Sequence, residues 1–266
     1  MTKFRESVVL ITGASSGIGR RLAHEFARQG ANVAIIARRA EKLEACRKSI
    51  LAELPSAQVI ACPGDVTRIE DVRRLIKMVM DQWRRIDILV NNAGVGLCGT
   101  VLGTDEVDLR KTFEVNFFAP LALIREVLPL MKENQRGHIV NISSYLADKA
   151  LPGHALYSSS KAAMTLMSEG LMLELTGSGI QVTTIHPGTT DTEYQDSMIC
   201  SNVPRWKPVM HGSDPAKVAS AIVHAVATNR RRLTLSLHAK GFCALNRLSR
   251  TLGDWIILFV KRKDRK

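Results

Sequence analysis

The apolar run at residues 8–11 leads without a spacer into Thr12-Gly13-Ala14-Ser15-Ser16-Gly17-Ile18-Gly19. A strand that is apolar at every position has both faces covered, as in a parallel sheet held between helices. The glycines that follow allow a tight turn and a close backbone approach, so the segment reads as the opening βα step of a Rossmann unit. Gly13 takes the turn, Gly17 keeps side chains away from a bound group, and Gly19 lets the helix pack close to the sheet. Ser15, Ser16 and Ile18 complete the cradle. The helix start offers free N–H groups and a positive dipole end, which suit a pyrophosphate.

The alternation continues along the chain. Residues 8–11, 32–37, 58–62, 86–90, 137–142, 181–186 and 233–237 are predicted strands, and the first six lead towards amphipathic, helical stretches. This pattern predicts an α/β fold: a single Rossmann-type doubly wound domain over 1–238, with a seven-stranded, mainly parallel sheet and helices on both faces. Gly30 marks the end of the first helix, and Asp214-Pro215 is an N-cap and N1 pair opening a helix over 216–227. Residues 192–213 carry Pro204 and Pro208, lack a period, and are expected to form a substrate lid. Residues 239–266 form an extension, apolar from Trp255 to Val260 and then basic.

The net charge of +12 is concentrated in two runs, Arg230 to Arg232 and the lysines and arginines from Lys261 to Lys266. No recognised nucleic-acid-binding module accompanies them, so no nucleic-acid partner is expected. The extension has two readings. One is a contact with a second subunit or the chain's own core. The other is a peripheral membrane foot, with apolar side chains in the interface and basic ones on anionic headgroups. Five scattered cysteines without a CxxC pair predict free thiols in a reducing, cytoplasmic setting and no zinc site. His138, His154 and His186 lack metal-ligand spacing. The start of the chain reads as a strand entry rather than a signal peptide, and no apolar stretch approaches the roughly 20 residues of a membrane span.

The second predicted strand ends in Ala37-Arg38-Arg39. Sites for an unphosphorylated adenosine ribose usually place an acid here. A guanidinium suits a 2′-phosphate instead, so NADP(H) is the expected cofactor, with NAD(H) as the alternative.

Tyr157 and Lys161 lie one helical turn apart in a predicted helix over 157–175, and Ser144 follows the strand at 137–142. A phenol titrates near 10 when unperturbed. An ammonium about 4 Å away attracts its anion by about 4 kcal/mol at an effective dielectric of about 20. That corresponds to roughly three pKa units as an upper bound, so Lys161 is expected to make Tyr157 more acidic and fit for proton transfer.

In this order the motifs resemble those of the short-chain dehydrogenase/reductase family. The pieces are Thr12–Gly19, Asp65-Val66, Asn91-Asn92-Ala93-Gly94, Asn116, Ile142-Ser143-Ser144, Tyr157-Ser158-Ser159-Ser160-Lys161, and Pro187-Gly188 with Thr192. The resemblance implies hydride exchange between a nicotinamide dinucleotide and a carbonyl or alcohol. Tyr157 would be the acid/base, Lys161 would hold the nicotinamide ribose, Ser144 would bind the substrate oxygen, and Asn116 would anchor a water relay. Ser144 is preferred to Ser143 because its spacing to Tyr157 is the family's usual one. Asp65 and Val66 would meet adenine. Asn91, Ala93 and Gly94 would line the groove, and Pro187, Gly188, Thr190 and Thr192 would flank the carboxamide. Family habit implies a homodimer or homotetramer. Leu146, Leu151, His154 and Tyr194, with Val95 and Met198, are candidate walls for a small, moderately apolar substrate. Two rival functions follow from the same residues: a redox-silent dinucleotide sensor, and a lipid ketoreductase working at a membrane surface.

Overall fold

The computed structural model describes residues 3–194, 198–201 and 212–263. The chain runs β1 (Val8–Thr12), α1 (Gly17–Arg28), β2 (Asn32–Ala37), α2 (Ala40–Glu53), β3 (Val59–Pro63), α3 (Ile69–Trp83), β4 (Ile88–Asn91), β5 (Leu97–Gly99), α4 (Glu106–Phe113). A π-helical turn, Glu114–Phe118, joins α4 to α5 (Ala119–Glu133). There follow β6 (Gly137–Ile142), α6 (Ala155–Glu174), β7 (Ile180–His186), β8 (Ile199–Ser201), α7 (Pro215–Ala227), β9 (Arg232–Thr234), α8 (Leu237–Leu248) and α9 (Arg250–Lys263).

The seven expected strands form one sheet in the order β3-β2-β1-β4-β6-β7-β9, with every pairing parallel. Successive side chains on a strand point to opposite faces. Val9 and Ile11 accordingly join one core layer, with Val33, Ile35 and residues of α1, α2 and α7. Val8 and Leu10 join the other, with Ala34, Ile36 and residues of α3, α5 and α6. Each fully buried leucine or isoleucine there contributes roughly 1.5–3 kcal/mol of transfer free energy. The strand order reverses between β1 and β4, and open α/β sheets bind their ligands at such a point, beyond the carboxyl ends of the strands.

Other features depart from the sequence reading. A small parallel pair, β5 with β8, ties the chain after β4 to the segment expected to be a lid. Residues 195–197 and 202–211 of that segment, Pro204 and Pro208 included, lie outside the described residues. The boundary expected at 238 falls inside α8. That helix buries Ala239, Cys243 and Asn246, and its Phe242 ring meets Tyr145 edge-on at 5.8 Å. Arg232, within the first basic run, is a structural tie: its guanidinium pairs with Asp148 at 2.5 Å. None of the five cysteines forms a disulfide. Among the described residues there is no cluster that could hold a metal, and no helix is long and apolar enough to cross a membrane.

Candidate active site

A groove of about 660 Å³ runs across the carboxyl ends of the central strands. One end is the glycine turn. Gly13 has φ +68°, and a Cβ there would stand 2.8 Å from the Ala93 Cα, so the two backbone segments touch. Thr12 clasps them together: its hydroxyl oxygen accepts from the Asn92 and Ala93 N–H groups at 2.9 Å each. The Asn92 amide donates to the Thr12 carbonyl at 2.8 Å. The floor is therefore bare main chain, which a flat, anionic ligand can approach.

Most of the expected cofactor residues line this groove: Gly13, Ser15, Ser16, Gly17, Ile18, Arg38, Arg39, Asp65, Val66, Ala93, Gly94, Pro187, Gly188, Thr190 and Thr192. Two do not. Gly19 sits in the first turn of α1, where a Cβ would stand only 2.5 Å from the Gly13 carbonyl oxygen. Asn91, the last residue of β4, turns into the sheet and donates to Asn141 at 2.8 Å, and its neighbour Asn92 forms the wall. Thr12 and Asn92 are the residues the sequence reading missed; a strand's final side-chain direction is the signal that would have separated Asn92 from Asn91.

The two arginines also divide their work. Arg38 is well exposed, 4.0 Å from Asp65. Arg39 reaches the glycine turn instead, donating to Ser16 at 2.7 Å and Ser15 at 3.1 Å. Its remaining nitrogen pairs with Glu193 at 2.8 Å. Both arginines border the groove, Arg38 at its exposed edge and Arg39 tied to the glycine turn.

At the other end, Tyr157 and Lys161 lie in the first two turns of α6, both buried, with Ser144 at the end of the β6 segment. Ser143 is committed elsewhere: its hydroxyl binds the Lys161 carbonyl at 3.0 Å and Thr165 at 2.8 Å. Ser144 faces the groove, where it meets the Leu146 N–H at 3.2 Å and the Tyr157 phenol. Asn116 lies behind the wall in the π-helical turn. Its amide exchanges two 2.9 Å bonds with the Val95 backbone and donates to Ser160 at 3.0 Å. The local sequence explains that turn. Pro120 lacks the N–H that would close a regular bond to the Asn116 carbonyl, and its ring crowds that carbonyl. Lys161 and Asn116 converge on Gly94, whose Cβ position lies 3.2 Å from the Lys161 ammonium and 3.2 Å from the Asn116 oxygen.

The electrostatics correct one expectation. Burial raises the Tyr157 pKa; hydrogen bonds with Tyr194 and Ser144 oppose the rise. Burial also lowers Lys161 from 10.5 to about 8. The ammonium bonds to the Ile142 carbonyl at 3.0 Å. Desolvation penalises both charged forms, so the simple attraction across a helical turn is outweighed. The result is a phenol that keeps its proton at neutral pH.

Leu146, Leu151, His154, Tyr194, Val95 and Met198 all border this end, and Leu146, Tyr157 and Leu97 form a small apolar cluster with Tyr194 and Ile199 packed on it. Burial lowers the His154 pKa, which favours a neutral ring.

A bare-backbone cradle at one end of a parallel sheet and a buried phenol at the other define a Rossmann-type oxidoreductase. The chain belongs to the short-chain dehydrogenase family: the profile described as short chain dehydrogenase matches residues 7–200. A dehydrogenase/reductase SDR family protein 7-like from Anopheles gambiae is 34% identical over 94% of this chain and 81% of its own. A short-chain dehydrogenase from Streptomyces avermitilis has 34% identity, a TM-score of 0.83, and coverage of 97% and 99% of the two chains. A Burkholderia phymatum short chain dehydrogenase/reductase, solved in complex with NAD, shares the fold at 23% identity. Its TM-score is 0.85, with coverage of 95% and 96%.

Proposed function

We propose that this oxidoreductase interconverts a carbonyl and a secondary alcohol with NADP(H), with Tyr157 as the acid/base. The observation that carries the reading is that Tyr157 is hydrogen-bonded to Ser144, and Lys161 and Asn116 meet at Gly94, at one end of a groove whose other end is the glycine cradle. The cradle fits a dinucleotide because its floor is main chain and its rim is cationic. A nicotinamide dinucleotide held there supplies or accepts the hydride. Ser144 holds the substrate oxygen, and Tyr157, protonated, gives its proton to that oxygen during reduction. Lys161 binds the nicotinamide ribose and keeps positive charge near the phenol. Asn116 anchors the relay that returns a proton to it. Asp65 and Val66 border the adenine, and Pro187, Gly188, Thr190 and Thr192 the carboxamide.

NADP(H) is favoured by Arg39, which with Ser15 and Ser16 presents donors at the mouth of the cradle. A dianionic phosphate suits such a fork. The substrate end favours a small, moderately apolar carbonyl compound. The experiment is a panel of such compounds assayed with NADPH and with NADH by reduced-nicotinamide absorbance. Turnover with NADPH that Tyr157→Phe abolishes supports the reading. Dinucleotide binding without turnover on any compound points to the sensor function instead.

Exposed Phe118, Leu166 and Leu173, on the π-helical turn and the adjacent α6, support a homodimer or homotetramer built on that face. Exposed Leu248, Leu252 and Leu258 near the basic end of the chain support a second reading, peripheral contact of a cytoplasmic enzyme with an anionic membrane. Vesicle pelleting of the full chain against one ending at Thr251 tests it; equal soluble fractions dismiss it.

A further inference from the structure

Glu193 follows Thr192, whose methyl group lies 3.1 Å from where a Cβ on Gly17 would stand. The segment carrying Glu193 therefore lies directly over the glycine turn. Its carboxylate is gripped from two sides. One oxygen meets Arg39 at 2.8 Å, and the Lys42 ammonium reaches both oxygens, at 2.8 and 2.7 Å. The same Arg39 guanidinium donates to the Ser15 and Ser16 hydroxyls. These four groups form an anion site at the mouth of the groove, and a side chain of the chain itself sits in it. The two cations hold the Glu193 pKa below its usual range, so it is a carboxylate at neutral pH.

The chemistry suits a phosphate monoester better than a carboxylate. A phosphate carries nearly two charges and three strong acceptor oxygens, against one charge and two oxygens. Guanidinium forks pair with such groups in a bidentate way.

We propose that Glu193 is an internal stand-in for the 2′-phosphate, and that it sets the enzyme's discrimination between NADP(H) and NAD(H). The inference rests on the NADP(H) reading above. A 2′-phosphate must displace Glu193 from Arg39 and Lys42, whereas a ribose with a free 2′-hydroxyl leaves the pair in place. Glu193 thus weakens NADP(H) binding while leaving NAD(H) binding almost untouched. Displacement also frees the chain at Thr192–Tyr194, and Tyr194 packs on the cluster containing Tyr157. Occupancy of the phosphate site is in this way linked to the wall of the substrate site.

The test is binding of NADPH, NADH and the probe adenosine 2′,5′-bisphosphate, measured by fluorescence titration or calorimetry. The chains compared are wild type, Glu193→Gln, Glu193→Ala and Arg39→Ala. The two Glu193 variants are expected to bind NADPH and the bisphosphate about threefold to tenfold more tightly, the scale of exposed ion pairs, with NADH changed less than about twofold. Raising the salt concentration should shrink the gain. Unchanged NADPH affinity in both variants, with a normal loss in Arg39→Ala, overturns the role of Glu193 alone. An equal gain for NADH overturns it as well, because the effect would then be mere opening of the groove. Arg39→Ala that leaves NADPH and NADH affinities both unchanged overturns the NADP(H) reading itself.

Discussion

The Lys161 ammonium donates to the Ile142 carbonyl oxygen at 3.0 Å, across the gap between α6 and the end of β6. This bond fixes the amine at the base of the groove, where water is scarce and charge is expensive. Burial there lowers the Lys161 pKa to about 8 and raises that of Tyr157, although the carbonyl bond itself favours the ammonium. A protonated phenol is the form in which Tyr157 could donate a proton in the proposed reaction.

Tyr157→Phe removes the only atom of that side chain able to transfer a proton and preserves its packing. Turnover should fall about 10²–10⁴-fold, the usual scale of a positioned acid/base. Dinucleotide affinity should stay within about twofold by fluorescence titration. Turnover comparable with wild type would remove Tyr157 from the mechanism.

Lys161 also gives a pH signature in stability. Its folded pKa of about 8 lies below its unfolded 10.5. Between those values the unfolded chain binds the extra proton, so stability rises with pH across that window. At pH 7 the buried charge costs stability, by up to about 3 kcal/mol. Lys161→Met should therefore be more stable than wild type at pH 7, and the gap should narrow towards pH 10. Urea unfolding of both chains at several pH values measures it; a gap that does not change with pH contradicts the assignment.

Asn116→Ala strands the Val95 N–H and the Val95 carbonyl in a buried place, while the Ser160 hydroxyl loses one donor but still donates to the Tyr157 carbonyl. Unsatisfied buried groups cost about 1–3 kcal/mol each. A loss of at least about 2 kcal/mol is expected in urea unfolding, along with most of the activity. A loss under about 0.5 kcal/mol would mean that these bonds are readily replaced by water.

Gly13→Ala forces a side chain into the left-handed region, which costs roughly 1–2 kcal/mol, and drives its Cβ to 2.8 Å from the Ala93 Cα. The backbone cannot yield cheaply there. Thermal unfolding should show a lower midpoint, and dinucleotide binding should be lost. Wild-type affinity in a folded Gly13→Ala chain would show that the cradle tolerates a wider gap.

The central strands β1, β2 and β4 were legible because they are buried on both faces and read as near-continuous apolar runs, whereas the edge strands β3 and β9 are only partly buried and were placed by the alternation with helices. The glycine turn was legible because its conformations admit few other residues. The limits of the reading lay in side-chain direction and in long-range pairing. Arg38 and Arg39 look alike in sequence, and only the exit of β2 sends the second to the glycine turn. Asn91 and Asn92 differ in the same way. The β5–β8 pair was hidden because Leu97–Gly99 is short, ends in glycine, and finds its partner far along the chain. The Tyr157 shift was missed because burial, which outweighs pair attraction here, is a property of the whole fold.

The wide turn at Glu114–Phe118 amounts to one surplus residue wound into an otherwise regular rod from α4 to α5. Deleting any one residue of that turn would rewind the rod into uniform α-helix and swing its upstream half by about 100°. Asn116 would then face a different neighbour while every other part of the sheet stayed as it was. Insertions and deletions in this short stretch should therefore be far less tolerated than in the loops around it, although no sheet strand passes through it and only Val115 borders the groove.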